Sequence, residues 1–273
     1  MADSLERPAV AVTFDPHPAA VLRPGGGPTP LSTMATRADR MSAIGIDALV
    51  VCQTTDALLS LTAEQFYQSL VNDRLAAGGM IEGPNFYFGR DRTGNVQLLD
   101  QWCQRDNRRF EIATATDDGG RMVSSSRIRQ SIADGDVAHA AAMMGRPHRV
   151  VAPVVHGDAR GRTIGFPTAN LSPIDVVTPA PGVYAAIATI DDSSHQAAVH
   201  IGGNPTFDRD EIKFETHLLD FTGDLYGRTL AVDFVDRVRD ISRFDSAEQL
   251  RDQLQIDVRA VRQILDSTHR RDV

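Results

Sequence analysis

The sequence predicts a fold with an α/β first half and a β-rich second half that ends in a helix. Three observations lead to this prediction. Within residues 9–150, short apolar runs alternate with amphipathic runs of helical length, the pattern of a parallel sheet with crossover helices. After Pro147, short apolar runs are separated by turn residues, which predicts a small closed barrel. At the end, an apolar stripe recurs at helical spacing, formed by Leu250, Leu254, Val258, Val261 and Leu265.

The elements of the first half follow from this alternation. Thr36 is expected to cap a helix that stops at Gly45, and Thr62 with Gln65 forms a capping box that opens another. Because ligands bind at the carboxyl ends of parallel strands, we expect a ligand site there. Strands are predicted over residues 9–14, 47–52, 80–83 and 110–114, and further helices over 96–105, 125–132 and 137–144.

The second half is predicted to consist of strands and one helix. Gly145-Arg146-Pro147 is the expected boundary, which gives domains over residues 1–146 and 147–273. Ser246 and Gln249 form a second capping box at the start of the last helix. Strands are predicted over residues 148–156, 182–190, 196–201, 213–220 and 229–238.

Composition excludes several classes of protein. The chain has 273 residues, 42% of them hydrophobic and 23% charged, which is typical of a globular protein of one or two domains. Its net charge of −8 argues against nucleic acid as a partner, because phosphate backbones select for basic surfaces. Cys52 and Cys103 are far apart, which supports neither a disulfide framework nor a zinc site and fits a cytoplasmic protein. No apolar run is long enough to span a membrane.

A glycine-rich loop is the feature around which the second half is organised. Residues 156–171 run HGDARGRTIGFPTANL, with Gly157, Gly161 and Gly165 four residues apart and Arg160 between them. Glycine lets backbone N–H groups approach an anion closely, so the loop suits a polyphosphate. A plain glycine-rich connection between strands is the alternative. Lys213 is the only lysine and has no GxxxxGK context, which excludes a P-loop kinase.

The end of the same loop carries oxygen ligands. Pro167 stiffens a turn after which Thr168 and Asn170 stand two residues apart. In an extended segment such residues point to one side, so their hydroxyl and carboxamide can reach one ligand together. Oxygen ligands of this kind suit Mg²⁺.

A candidate general base lies on a later strand. In the run KFETHLLD, Glu215 and His217 share one face, while Phe214 and Thr216 share the other. A carboxylate that faces the nucleotide loop is suited to take a proton from an attacking alcohol. A salt bridge at the rim of the barrel is the alternative role for Glu215.

These motifs together resemble those of riboflavin kinases, especially the C-terminal module of the bacterial bifunctional riboflavin kinase/FAD synthetase. The resemblance rests on GDxRGRxxGFPTANL, on an IGxxPTF-like segment at residues 201–207 and on the strand with Glu215. It implies a six-stranded barrel in which Thr168 and Asn170 ligate Mg²⁺ and the terminal phosphates of ATP. Glu215 would deprotonate the ribityl 5′-hydroxyl of riboflavin. The residues implied on the flavin side are Asn204, Arg239 and Phe244.

Three segments of the first half resemble the adenylyltransferase half of the same enzymes, at residues 13–18, 83–94 and 123–129. In the last of them, Ser125, Ser126 and Arg129 begin a predicted helix, where N–H groups and a guanidinium suit phosphate. The alternative is that Ser125 or Ser126 is only an N-cap. Riboflavin, FMN and ATP are therefore the expected ligands, with Mg²⁺ as the metal.

The first half departs from the family pattern in two ways. The first strand and the FDGxHxGH loop of the family have no counterpart before Pro8, and the aspartate of its GxDFxFG motif is Asn85 here. We therefore expect an N-terminally truncated, incomplete Rossmann-like nucleotidyltransferase domain ahead of the barrel, and no conversion of FMN to FAD by this chain. The alternatives are a fully bifunctional enzyme whose start is assigned too late, and a flavin- or nucleotide-binding regulator without catalysis.

Overall fold

The computed structural model describes residues 1–23, 25–157, 161, 165–203 and 212–269. The chain divides into two compact units. The first comprises Met1–Pro28 and Met34–Met122, and the second comprises Thr29–Thr33 and Val123–Val273. The domain boundary that we expect at residues 146/147 stays a prediction, because compactness does not establish which segments fold or function independently.

The first unit is built from parallel strand pairs and helices, as its sequence predicts. β1 pairs with β2 from Val10↔Ala48 to Asp15↔Gln53, and β3 pairs with β6 from Gly79↔Arg109 to Glu82↔Ile112. The strands are β1 (Val10–Asp15), β2 (Ala48–Gln53), β3 (Gly79–Glu82), β4 (Tyr87–Phe88), β5 (Gly94–Asn95), β6 (Arg109–Ile112), β7 (Asp117–Asp118) and β8 (Arg121–Met122). The helices are α1 (Pro18–Leu22), α2 (Met34–Ala43), α3 (Asp56–Leu59), α4 (Ala63–Phe66) and α5 (Val96–Arg105).

Two local predictions in this unit have different outcomes. The capping box is confirmed: the Thr62 hydroxyl accepts from the Gln65 N–H, and the Gln65 side chain accepts from the Thr62 N–H. The prediction that Thr36 caps α2 is wrong, because α2 begins at Met34 and Thr36 lies buried inside it. After α4 the chain continues as a π-helix over Tyr67–Arg74, which the apolar spacing does not reveal.

The second unit is a closed antiparallel barrel with helices, which confirms the predicted barrel. Its six strands follow the order β10–β13–β12–β11–β14–β9. They are β9 (His148–Val155), β10 (Ala169–Leu171), β11 (Gly182–Ile190), β12 (Ser193–Gly202), β13 (Lys213–Leu218) and β14 (Thr229–Arg239). Two helices precede the barrel, α6 (Ser125–Ala133) and α7 (Val137–Met144), and α8 (Ala247–His269) follows it.

The two faces of the barrel wall have different environments. Alternate residues point inward and form the core, including Val150, Val199, Ile201, Phe214 and Phe234. On the outer face, one patch is covered by α8 and forms a second apolar cluster, with Ala185, Leu219, Val261 and Leu265. The helix therefore closes part of the outer wall.

The start of α8 is close to the predicted capping box. The Ser246 hydroxyl accepts from the Gln249 N–H at 3.2 Å, as expected. The Gln249 side chain accepts from the N–H of Asp245 at 3.1 Å and not from that of Ser246, so the second half of the box is displaced by one residue. None of the helices in the described ranges combines the length and hydropathy that a bilayer crossing needs.

Candidate active site

Strand register sets a row of polar side chains across the outer face of the barrel. Asn170 on β10 lies opposite Glu215 on β13, and Glu215 lies opposite His200 on β12. The same register leads through the apolar Val183 on β11 to the polar Arg239 on β14. Directly opposed residues of antiparallel strands project to the same face, so these side chains share one surface.

A cavity of about 700 Å³ opens on this outer face, within the range of small-molecule sites. One wall is the barrel, which contributes Thr168, Glu215 and other polar groups. The other wall is the segment from Ile241 to Val258, which contributes many of the apolar side chains. The residues that line the cavity include Gly161, Thr168, His200, Gly202, Lys213, Glu215, His217, Arg239, Phe244 and Asp257.

Glu215 has the position that the alternation of β13 predicts. Its side chain is 30% exposed and forms part of the cavity wall together with Thr168. Glu215 Oε2 lies 3.7 Å from His200 Nδ1. This contact joins Glu215 to an imidazole that lines the same cavity, and it is an ion pair only when that imidazole is protonated. This carboxylate can act as a base toward a ligand in the cavity.

Two glycines of the loop, Gly157 and Gly161, lie near the two predicted oxygen ligands. A Cβ built on Gly157 would overlap the Asn170 carboxamide, and one built on Gly161 would lie 3.5 Å from Thr168 Oγ1. Gly165 has a φ of +87°, which a side chain would make costly. A side chain at Gly157 would therefore displace the Asn170 carboxamide, whereas one at Gly161 would overlap the Phe166 carbonyl oxygen.

The loop is fastened to β13 at its end. The Pro167 carbonyl lies 2.8 Å from Nδ1 of His217, two residues beyond Glu215. The Phe166 ring packs edge-on against the His217 ring, with centroids 5.5 Å apart. This attachment ties Thr168 to the strand that carries Glu215. Arg160, also predicted to bind nucleotide, lies outside the described residues.

The donor set fits a hard cation. Thr168 supplies a hydroxyl oxygen and Asn170 a carboxamide oxygen, and oxygen ligands are the type that Mg²⁺ prefers. No cluster of three or more His, Cys, Asp or Glu suited to a metal occurs among the described residues. The close approach of Gly157 to Asn170 holds the carboxamide in place.

The two described residues of the predicted flavin group both line the cavity, Arg239 from the barrel and Phe244 from the opposite wall. Arg239 donates through Nε and Nη2 to the carboxylate of Asp257 at 2.8 and 2.7 Å. Its guanidinium carbon lies 5.8 Å from the centre of the Phe244 ring. Asn204, the third member of the group, lies outside the described residues.

Ser125, Ser126 and Arg129 are not among the residues that line the cavity. Ser125 and Ser126 are exposed at the start of α6. The N-cap is Ser124, whose hydroxyl accepts from the Arg127 N–H, so the alternative that Ser125 or Ser126 caps the helix is wrong. Arg129 donates to the Thr29 carbonyl at 2.7 Å, and burial lowers the pKa of its guanidinium.

In the first unit, the segment 83–94 begins at the carboxyl end of β3, where a parallel sheet is expected to bind ligands. Burial raises the pKa of Glu82, the last residue of that strand, to about 7. The Asn85 carboxamide contacts the Met122 sulfur at 3.6 Å. This end of the strand therefore combines a carboxyl group with a raised pKa and a neutral amide.

Sequence reasoning missed His200 and Asp257 as members of the site. His200 alternates with the inward-facing Val199 and Ile201, and this alternation would have placed it on the outer face. Asp257 follows Leu254 by three residues and precedes Val261 by four, which puts a carboxylate on the apolar stripe of α8. Such a residue needs a buried partner, which is Arg239.

Comparison with known proteins agrees with this arrangement. Residues 144–265 match the riboflavin kinase family model, and residues 1–127 match the FAD synthetase model. The chain is 34% identical over 265 residues to the bifunctional riboflavin kinase/FMN adenylyltransferase of Pseudomonas fluorescens, covering 96% of this chain and 85% of that protein. The chain belongs to the bifunctional riboflavin kinase/FMN adenylyltransferase family.

Two further proteins are similar to this chain over most of its length. The Escherichia coli K12 protein of the same description is 31% identical over 264 residues, covering 96% of this chain and 84% of its own length. A solved structure from Streptococcus pneumoniae, described as a macrolide-efflux protein, superimposes with a TM-score of 0.86. It is 34% identical and the match covers 96% of this chain and 85% of that one. Both halves of the family's architecture are thus present.

Proposed function

We propose that this chain is a riboflavin kinase, which transfers the terminal phosphoryl group of ATP to the 5′-hydroxyl of riboflavin and so makes FMN. The observation that carries the proposal is the position of Glu215. Its carboxylate lies in the same cavity wall as Thr168 and directly opposite Asn170 in the barrel register. A protein that only binds flavin has no need of a base beside such a group of oxygen ligands.

In the proposed reaction, Glu215 accepts the proton of the ribityl 5′-hydroxyl as that oxygen attacks the phosphorus. General-base catalysis of this kind contributes roughly 10²–10⁴-fold to the rate. The His200 imidazole on one side and the Asn170 carboxamide on the other keep the carboxylate between polar neighbours. Glu215 and Thr168 line the same wall of the cavity. The hydroxyl that Glu215 deprotonates would therefore attack a phosphate held beside Thr168 on that wall.

The glycine loop is the proposed phosphate site. Thr168 and Asn170 would hold Mg²⁺ together with the terminal phosphates, and the bound cation would neutralise charge on the transferring phosphoryl group. Gly157, Gly161, Gly165 and Arg160 would bring backbone N–H groups and a guanidinium to the nucleotide. Pro167 keeps this loop on β13 through its carbonyl contact with His217.

The wall between Ile241 and Val258 is the proposed flavin site. Its apolar side chains suit a planar ring system, and Phe244 offers an aromatic face. Arg239 and Asn204 would contact the polar edge of the flavin. Because Asp257 holds Arg239, the guanidinium is oriented before the ligand binds.

The test is direct. The purified 273-residue chain, incubated with riboflavin, ATP and Mg²⁺, should form FMN and ADP in equal amounts. The Glu215→Gln variant should form little of either. Riboflavin binding without FMN formation by the unaltered chain would contradict the proposal and support a binding protein.

The match of residues 1–127 to FAD synthetase favours FMN adenylylation as a second activity. The sequence led us to expect that this chain lacks that activity. The comparisons give that expectation no support, and it stays a prediction. Incubation of the chain with FMN and ATP tests it, since FAD and pyrophosphate would form if the activity is present. Ser125, Ser126 and Arg129 are the proposed phosphate contacts of that reaction.

The proposed organisation is an adenylyltransferase domain over residues 1–146 and a kinase domain over 147–273. The proposed ligands are riboflavin, FMN and ATP, and the proposed location is the cytoplasm. Expression of residues 147–273 alone tests the division, because the shorter chain should fold and retain FMN formation.

A further inference from the structure

The segment that joins β14 to α8 forms part of the apolar wall of the cavity, and side chains hold it there. Ile241 and Phe244 line the cavity from this segment. Within the described ranges, residues 241–244 take part in no hydrogen bond, although the Asp240 carbonyl before them accepts from Arg239 Nη1 at 2.8 Å. The position of this wall therefore depends on the packing of its side chains.

Ile241 packs into a notch in the barrel at Gly202. Gly202 is the last residue of β12 and is buried. A Cβ built on it would overlap Cδ1 of Ile241, and it would lie 3.5 Å from Cε1 and 3.6 Å from Nε2 of His200. The contacts with His200 would be ordinary van der Waals contacts, whereas the contact with Ile241 is too close for two carbon atoms. The end of the Ile241 side chain therefore occupies the space that a side chain at position 202 would need.

The backbone at Gly202 does not itself require glycine. Gly202 pairs with Lys213 in the antiparallel ladder of β12 with β13, and its φ is not positive. Gly165, by contrast, has a φ of +87°. Alanine adopts extended backbone without strain, so the obstacle to a methyl group at position 202 is the Ile241 side chain.

We propose that Gly202 and Ile241 are a positioning pair that sets the distance between the barrel and the apolar wall of the flavin cavity. This inference rests on the proposed binding of riboflavin in that cavity. Phe244, which offers the aromatic face of this wall, follows Ile241 by three residues. With Ile241 in the notch, the segment lies against the barrel and Phe244 is held where a planar ring can pack on it. A methyl group in the notch pushes Ile241 outward, and Phe244 moves with it.

The phosphate side of the cavity does not depend on this pair. Thr168 and Asn170 lie at β10, whose neighbours in the barrel are β13 and β9, whereas Gly202 lies on β12 and Ile241 follows β14. The contact of Phe244 with Arg239, 5.8 Å from the guanidinium carbon to the ring centre, is also on the flavin side. Displacing Ile241 should therefore weaken the binding of riboflavin and leave that of MgATP unchanged.

The experiment measures kcat and KM of FMN formation by the full chain, and riboflavin binding without ATP from the quenching of riboflavin fluorescence. Gly202→Ala should raise the KM and the dissociation constant for riboflavin about tenfold, because overpacking displaces the wall. The kcat and the KM for MgATP should stay within about twofold of the wild type.

A compensating substitution separates this role from a general loss of structure. Ile241→Val removes the Cδ1 atom that a methyl group at position 202 would overlap. The Gly202→Ala/Ile241→Val double variant should therefore bind riboflavin within about threefold of the wild type, since the two residues act on each other directly. Ile241→Ala empties the notch and should raise the KM for riboflavin about fivefold, which tests the pair if Gly202→Ala does not fold.

Two substitutions of the same chemical size elsewhere in the chain are the controls. An added Cβ at Gly25 meets nothing within 4 Å, and Ile256 on α8 is 49% exposed. Neither residue lines the cavity. Gly25→Ala and Ile256→Val should leave the KM for riboflavin unchanged, and Ile256→Val should not restore riboflavin binding to Gly202→Ala.

Several outcomes would overturn the inference. One is a KM for riboflavin in Gly202→Ala equal to that of the wild type. Another is a raised KM that Ile241→Val does not lower, since the obstacle would then be a different group. Equal increases in the KM values for riboflavin and MgATP would show a general loss of structure instead. If the wild type binds riboflavin without forming FMN, the kinase proposal fails and the binding measurements still decide the role of the pair. If it binds no riboflavin, both fail.

Discussion

Arg239, at the end of β14, donates two hydrogen bonds of 2.8 and 2.7 Å to the carboxylate of Asp257 on α8. The Asp257 side chain is only 2% exposed, and the Gln253 amide donates a further bond to it at 2.9 Å. The pair connects the barrel to the helix at the wall of the cavity. A buried ion pair of this kind is costly to break, because the remaining charge has no comparable partner.

Replacing Asp257 should therefore affect both stability and flavin binding. Asp257→Asn should lower the free energy of unfolding by about 3–5 kcal/mol, measured by urea denaturation. In the fraction that remains folded, the KM for riboflavin should rise, because Arg239 is no longer held at the cavity wall. The KM for ATP should change less.

The chain provides a matched control for this prediction. Arg262 of the same helix donates to both oxygens of Asp220 at 2.9 and 2.8 Å, but the Asp220 side chain is 75% exposed. Asp220→Asn should change the free energy of unfolding by less than about 1 kcal/mol, since water screens the pair. Equal effects of the two substitutions would show that burial does not determine the strength of the Asp257 pair.

Glu215→Gln should lower kcat for FMN formation by about two to four orders of magnitude, because the amide cannot accept the hydroxyl proton. The dissociation constant for ATP should change little, since the substitution preserves shape. Steady-state kinetics and nucleotide titration measure the two effects. Glu111→Gln, which alters an exposed carboxylate on a strand of the first unit, is the control. A variant with normal turnover would rule out Glu215 as the base.

Asn170→Ala should raise the MgATP concentration needed for half-maximal rate by about tenfold, which corresponds to a lost interaction of about 1.4 kcal/mol. The carboxamide that Gly157 approaches would be absent, so the metal–nucleotide complex would lose an oxygen ligand. The KM for riboflavin is the internal control and should stay the same. An unaltered dependence on Mg²⁺ would exclude Asn170 as a ligand.

His148 should make the barrel sensitive to acid. Its side chain is buried in the core, and burial lowers its pKa to about 4 despite the contact of Nε2 with the Val177 carbonyl at 2.8 Å. An unfolded chain has an ordinary histidine pKa of about 6.5, so between about pH 6.5 and pH 4 it binds a proton that the folded chain does not. Above about pH 6.5, burial of the neutral imidazole therefore does not lower the free energy of unfolding. As the pH falls below that value, the free energy of unfolding decreases by up to about 1.4 kcal/mol per pH unit.

His148→Phe removes this titration and keeps an aromatic ring beside Phe234, which lies 6.2 Å away between ring centroids. Its stability relative to the wild type should improve as the pH is lowered from about 7 to about 5. Urea denaturation at both pH values measures the difference. Stability curves that run parallel for the two proteins would show that His148 is not the acid-sensitive group.

Local patterns predicted many elements well. Predicted helices at 96–105 and 137–144 and the strand at 182–190 have the same bounds in the structure, because caps, glycine and apolar spacing agree there. Thr36 was misassigned as a cap because a lone threonine between two polar runs does not reveal where a helix begins. The two-residue strands β4, β5, β7 and β8 are too short to produce a periodic signal.

The site itself was only partly predictable. Alternation on β13 and the spacing of Thr168 and Asn170 identify the side chains that share a face. Sequence does not reveal the register that sets Asn170 opposite Glu215, because pairing between distant strands depends on the whole barrel. For the same reason, the pairing of His200 with Glu215 and of Arg239 with Asp257 became evident only in three dimensions.

The closed barrel also makes enzymatic turnover a measure of correct folding. Because every strand has two neighbours, no strand can slide without disturbing the others. A shift of β13 by one residue would point the Glu215 side chain into the apolar interior of the barrel and expose Phe214 or Thr216 in its place. Molecules with a shifted strand would thus be both unstable and inactive. The specific activity of a refolded sample would therefore report the fraction of chains that reached the native register.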